Sequence, residues 1–156
     1  MINDRLRLLS GNEPLVLDPT DGLETLDQAT DVFKYIDSNF RRWRCGVAGP
    51  PTADTPVRIY EMAKDCTFQD MFGGFGLGLD FLALTQAQIK QFAKRHSDWL
   101  KKGGNGTFFL FKIGNEFFVA AVYFFSDSRL GVRVRDLTLE RVFRAQKHHR
   151  LVVKSC

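Results

Sequence analysis

The 156-residue chain is 44% hydrophobic and 26% charged, which excludes a disordered polypeptide, a collagen-like fibre and a membrane bundle. Its length suits a single α+β domain, 1–156, able to bury about two-thirds of its unfolded surface without a disulfide or metal staple. The net charge is +4, but residues 101–156 hold 11 Lys/Arg against 4 Asp/Glu, whereas residues 1–50 carry −2 and residues 51–100 carry −1.

The basic final third points to an anionic partner, nucleic acid or an acidic protein, with a solvated basic surface as the plainer account. Three cysteines, Cys45, Cys66 and Cys156, make an odd number with no C-x-x-C pair, so no disulfide framework is expected. The first residues, Met1 to Arg5, lack an apolar signal-peptide core, and no run of about 18 apolar residues exists. A soluble cytoplasmic protein with no membrane partner is the expectation.

Residues 1–22 read as irregular, with Leu15-Val16-Leu17 a short extended candidate ended by Asp18-Pro19. Leu26, Ala29, Phe33, Ile36, Phe40 and Trp43 then recur at steps of three and four, which predicts a helix. Asp21 and Glu24 have the spacing of its capping box, and Asp37-Ser38-Asn39 weakens its second half. Residues 45–56, rich in Gly and Pro, form a connection. Residues 57–72 are ambiguous. Pro56 suits a first helical position, while Val57 and Ile59 alternate with Arg58 and Tyr60 as in a strand. A helix is slightly favoured. The run from Gly73 to Gly78 reads as a flexible loop.

The firmest helix runs over 85–102. Thr85 and Gln88 form a capping box, Leu84 and Ile89 a hydrophobic staple, and Gly103-Gly104 a stop. Gly114-Asn115 then predicts a two-residue hairpin loop between Thr107–Ile113 and Glu116–Phe125. That loop length sets the register: Ile113 opposite Glu116, Phe111 opposite Phe118, Phe109 opposite Ala120 and Phe108 opposite Ala121. Both hairpin faces are apolar. From Arg129 to Asp136, Leu130, Val132 and Val134 alternate with Arg133 and Arg135, a third strand. Residues 139–154 hold one or two more. The fold expected is α+β, with N-terminal helices packed on a C-terminal antiparallel β-meander of three to five strands.

The phrases Asp65-Cys66-Thr67-Phe68, Met71-Phe72-Gly73, Leu84 to Ile89, Thr107 to Lys112, Glu116 to Ala120 and His149 to Val153 occur here together. With them the chain resembles, over nearly its whole length, a group of small uncharacterised proteins from uncultured environmental bacteria. That resemblance implies a small stand-alone bacterial protein and carries no activity, ligand or site residue.

Chemistry-bearing residues are few. The glycine run lacks the Lys-Ser/Thr ending of a P-loop and does not fit G-x-G-x-x-G. His148-His149, flanked by Lys147 and Arg150, offer a base, metal or phosphate contact, or only a basic turn. His96 falls on an apolar helix face. Glu61, Asp65 and Asp70 would make an acid/base pair only if a bend brought them together. No catalytic constellation, metal-ligand spacing or cofactor motif stands out, and the reading leans away from an enzyme. The strongest feature is the row Arg129, Arg133 and Arg135, followed by Arg141 and Arg144. It suits contacts to an anionic partner, with strand-edge protection as the alternative. The resulting expectation is a binding module with a basic sheet face. An aromatic pocket between helix and sheet, for a small molecule or a reaction, is a second reading. A homodimer through an aromatic sheet face that includes Phe111 or Phe118 is a third.

Overall fold

A computed structural model describes residues 4–103 and 105–155; Met1 to Asn3, Gly104 and Cys156 lie outside the described residues. In chain order the strands are β1 (Leu6–Leu8), β2 (Leu15–Leu17), β3 (Tyr35–Ile36), β4 (Thr55–Met62), β5 (Thr107–Ile113), β6 (Glu116–Phe124), β7 (Leu130–Asp136) and β8 (Arg150–Lys154). The α-helices are α1 (Asn39–Arg42), α2 (Phe68–Gly73) and α3 (Gln86–Arg95). The strands form one eight-stranded sheet in the order β1-β4-β8-β5-β6-β7-β3, with β2 sharing the β4 edge with β1. β8 runs parallel to β5 and β3 parallel to β7, while the remaining pairs are antiparallel.

This overturns the expected α+β meander. The sheet is mixed and larger, and it includes the N-terminal segments as strands. β8 crosses back to lie between β4 and β5, so the last strand in sequence is central in space.

The hairpin forms as read from Gly114-Asn115. Gly114 takes a left-handed φ of 59°, and β5 and β6 pair in the expected register from Ile113↔Glu116 to Phe108↔Ala121. The α3 cap also forms: the Thr85 hydroxyl accepts from the Gln88 amide, and the Gln88 side chain accepts from Thr85 N–H. The helix ends at Arg95, short of the expected 102. A 3-10 turn over Ser97–Trp99 then carries Leu100 into the core.

Residues 55–62 are strand, not the slightly favoured helix. Alternation wins there because β4 is paired along both edges, by β1 and β2 on one and β8 on the other, and Val57 and Ile59 become fully buried on one sheet face. The expected helix through Leu26 to Trp43 is replaced by a 3-10 turn at Leu26–Gln28, then β3 and α1. Leu26, Ala29, Phe33 and Phe40 are nevertheless buried together, so successive turns satisfy the same spacing that a helix would. Asp37 ends the run by accepting from Asn39 N–H and from Val134 N–H on β7.

Both sheet faces are covered by the chain itself. On one face, α3, α1 and residues 26–40 bury Phe109, Phe111, Phe118, Val132 and Val152. Phe40 stacks near Phe111 and Trp43 near Phe118, so the face named for a homodimer is occupied from within. On the other face, α2 and residues 137–143 cover Phe108, Leu110, Val119 and Leu151. α2 has its own capping box, between Thr67 and Asp70, and buries Phe68, Met71 and Phe72. The Cys66↔Phe143 bridge fastens the 137–144 segment beside it. Among the described residues no helix is long and apolar enough to cross a membrane.

Candidate functional site

On the α2 face of the sheet, cover stops short of the β6 and β7 ends. The register sets Phe108, Ala121 and Arg133 side by side on β5, β6 and β7. A small side chain thus stands between two large ones. Beside Phe108 rise Phe143 and His149; the His149 ring stacks 5.0 Å from Phe108 and meets Phe143 edge-on at 5.5 Å. Beyond Ala121 along its own strand follow Tyr123 and, just past the strand's end, Phe125, and on β7 stand Arg133 and Arg135. The result is a cleft of about 400 Å³, lined also by Asn105, Gly106, Arg141 and Lys147.

Among the described residues, four cations line this cleft, Arg133, Arg135, Arg141 and Lys147, and no carboxylate does. Arg133 donates from Nε to the Tyr123 hydroxyl at 2.8 Å, and its guanidinium lies over the Tyr123 ring, 4.8 Å from the centroid. Arg135 is held from behind by Asp37, 3.6 Å away. Arg141 lies 5.1 Å over the Phe143 ring. This contact orients the guanidinium without neutralising it. His149 Nδ1 accepts from Gly106 N–H at 2.9 Å, so neutral His149 carries its proton on Nε2 as a donor. Burial pushes its pKa below the ordinary 6.5, and Arg141, Lys147 and Lys101 add repulsion.

An aromatic stack supports the β7 wall. Tyr35 of β3 lies 3.8 Å from Phe125 and nearly parallel to it, and Phe125 lies 4.9 Å from Tyr123. Gly131 permits this stack, because a Cβ there would stand 2.5 Å from Phe125 Cε1 and 3.1 Å from Tyr123 Cζ.

The sequence candidates divide. Arg133, Arg135 and Arg141 converge on the cleft. Arg129 does not: a turn at Asp127-Ser128 swings it into a groove with Asp31, Lys34, Lys94 and Leu130. That groove is wider, about 720 Å³, but its charge is mixed. Lys90 hydrogen-bonds Asp31 and holds its carboxyl below the usual range. Arg144 is also elsewhere, pairing at 3.2 Å with Asp65, which in addition accepts from Ala145 N–H. In the 141–144 segment, Arg141 and Phe143 face the cleft while Val142 is exposed and Arg144 ties the segment down.

The histidine pair splits as well. His149 enters the cleft, whereas His148, at φ 54°, sets its Nδ1 3.5 Å from Glu61. Glu61 is buried and also paired with Arg7. Asp70 is spent on the α2 cap, so the three carboxylates named for an acid/base pair each have separate work. His96 closes α3, 5.5 Å from Phe92. The glycine run follows the C-terminus of α2 and opens no helix of α type, so it lacks the amide cradle a phosphate would need. Cys45 and Cys66 are buried free thiols, pushed up to about 11 chiefly by burial. Among the described residues no three His, Cys, Asp or Glu side chains gather as a metal set would.

Sequence reasoning named the arginines and the Lys147-to-Arg150 cluster, but not Ala121, Tyr123 or Asn105. Ala121 had a signal. The hairpin register sets it against Phe108, a large residue against a small one. Ala120, on the opposite face, is wholly buried, while Ala121 is buried to 8% exposure and lines the cleft. No family model, curated protein or solved structure matches the chain.

Proposed function

We propose that this protein is a non-enzymatic binding module whose cleft over Ala121 takes a small anionic ligand. The observation that carries the reading is the convergence of Arg133, Arg135, Arg141 and Lys147 on one aromatic-walled cleft whose described lining holds no carboxylate, Arg135 alone of the four being paired from behind, with Asp37. Clustered cations at the edge of a partly apolar recess raise the local potential for anions even with Arg135 paired to Asp37, and the low-dielectric walls strengthen each contact. A cleft of about 400 Å³ falls in the small-molecule range. The separation of Arg129 and Arg144 from the other three argues against a continuous track for a long phosphate backbone. A reducing, cytoplasmic setting accords with the free thiols of Cys45 and Cys66.

Calorimetric titration with inorganic phosphate, ribose 5-phosphate and citrate, at low salt and at physiological ionic strength, tests this. Binding is expected to weaken with salt and to fall at least about tenfold in Arg133→Gln or Arg141→Gln, the loss typical of one charge-assisted hydrogen bond. Arg144→Gln should bind as wild type. Equal losses in Arg141→Gln and Arg144→Gln, or no binding of any anion at low salt, would overturn the reading.

A further inference from the structure

Resting on that reading of the cleft, we infer that its ligand is a linear bis-anion: two anionic groups joined by a short flexible spacer, one held by Arg133 and the other by Arg141 and Lys147.

The cations stand at two ends of the cleft. On the β7 side, Arg133 is bonded to the Tyr123 hydroxyl and lies 4.8 Å over the Tyr123 ring, while Arg135 is paired with Asp37. At the other end, Arg141 lies 5.1 Å over the Phe143 ring, and the charges of Arg141 and Lys147 both act on His149. Among the described residues, no carboxylate forms an ion pair with Arg133, Arg141 or Lys147. One uncompensated positive charge therefore faces the cleft from the β7 side and two from the His149 side.

Phe108 separates the two ends. Its ring lies 5.1 Å from Phe143, and Tyr123 is its diagonal neighbour on β6, two residues beyond its partner Ala121. Diagonal neighbours stand about 7–8 Å apart, so the two guanidinium groups, each over its own ring, are about 10 Å apart. A single oxyanion sits about 4 Å from a guanidinium carbon in a fork contact, so it bridges about 8 Å at most. Moving inwards to share one compact anion would cost each guanidinium its ring contact, and Arg133 its bond to Tyr123 as well. Two anionic groups on a spacer engage both ends without that loss. The second contact is then intramolecular, and it adds affinity only when the spacer spans the gap. Phe108 and Ala121 are buried, so the spacer crosses above them, beside the half-buried Tyr123 and Phe125, and needs no slot between rings.

Calorimetric titration of the full chain at low salt with malonate, glutarate, adipate and suberate tests this. Hexanoate serves as the one-ended control and sulfate as a dianion on a single centre. From glutarate to suberate the extended carboxyl carbons stand about 5–9 Å apart, whereas malonate is too short to reach both ends. Adipate is expected to bind at least about tenfold more tightly than malonate, hexanoate or sulfate. Arg133→Gln and Arg141→Gln should each bring adipate within threefold of hexanoate. Butane-1,4-bisphosphonate has the same four-methylene spacer as adipate and distinguishes the end groups. Tighter binding of adipate would support the inference with carboxylate ends; equal or tighter binding of the bisphosphonate would support it with phosphoryl ends. The ligand series on unmodified protein stands even where a variant folds poorly. Equal affinities for adipate and malonate, or for adipate and hexanoate, would overturn the two-ended grip while leaving the anion cleft intact. Sulfate binding as tightly as adipate would do the same. If no anion binds even at low salt, the anion cleft itself fails.

Discussion

Gly131→Ala tests the packing that shapes the β7 wall of the cleft. The added Cβ would stand 2.5 Å from Phe125 Cε1, about 1 Å inside the ordinary carbon contact of about 3.5 Å. Gly131 is held on both sides, by Tyr123 of β6 and Tyr35 of β3, so the ring must yield rather than the backbone. Phe125 is half-buried and can swing towards solvent, but only by leaving its stacks with Tyr35 and Tyr123. Each such pair is worth about 0.5–1.5 kcal/mol beyond its buried area, so the loss is about 1–3 kcal/mol. Alanine returns about 0.4–1 kcal/mol by restricting the unfolded chain. The net destabilisation expected is about 1–2 kcal/mol, or a Tm lower by about 2–8 °C for a chain of this size. Urea and thermal denaturation measure it, together with a double-mutant cycle in which Phe125→Ala removes the ring. In that background Gly131→Ala should cost less than about 0.5 kcal/mol, because only the tighter approach to Tyr123 remains. A Gly131→Ala protein as stable as wild type, or an equal loss in both backgrounds, would refute the argument.

Gln86 is buried and bonds three backbone groups: its amide donates to Cys45 O and Val47 O and accepts from Leu26 N–H. Gln86→Leu should therefore destabilise by about 3 kcal/mol in urea unfolding, and a loss below about 1 kcal/mol would show that the N-terminal segment is held otherwise. His149 has its folded pKa held below the unfolded 6.5, so below that value the unfolded chain takes up the proton first. Its contribution to stability is complete above pH 6.5, is lost as pH falls towards the folded value, and is flat below it. As pH falls from 6.5 towards the folded value, the urea midpoint of wild type should fall more steeply than that of His149→Gln; parallel profiles there would contradict the assignment. In a Cys156→Ser background, Cys45 and Cys66 should resist a thiol reagent at mildly alkaline pH until the protein unfolds, since burial raises both to about 11. Fast labelling of the native protein would contradict that.

The elements legible from sequence are those whose determinants are neighbours in the chain. The Gly114-Asn115 turn sets the β5–β6 register, Thr85 and Gln88 cap α3, and the alternation of Val132 and Val134 with Arg133 and Arg135 sets the two faces of β7. Turn geometry, capping and side-chain alternation act over a few residues, so their pattern is readable before any fold is known. The tertiary structure alone decided the position of β8, because pairing strands so distant in the chain depends on which edges other segments leave open. It also decided that Leu26 to Trp43 runs as short turns and a β3 strand. The spacing asks only that Phe33 and Phe40 reach the sheet, and the Asp37 bond to Val134 favours the open path. The cleft belongs to the same class. Arg133 and Arg141 were visible as basic residues, but their convergence with His149 over Ala121 needs three adjacent strands and the Cys66–Phe143 bridge to bring them together. Arg129 and Arg144 carry the same charge in the same stretch of sequence, and only the turn at Ser128 and the pairing with Asp65 take them out of it.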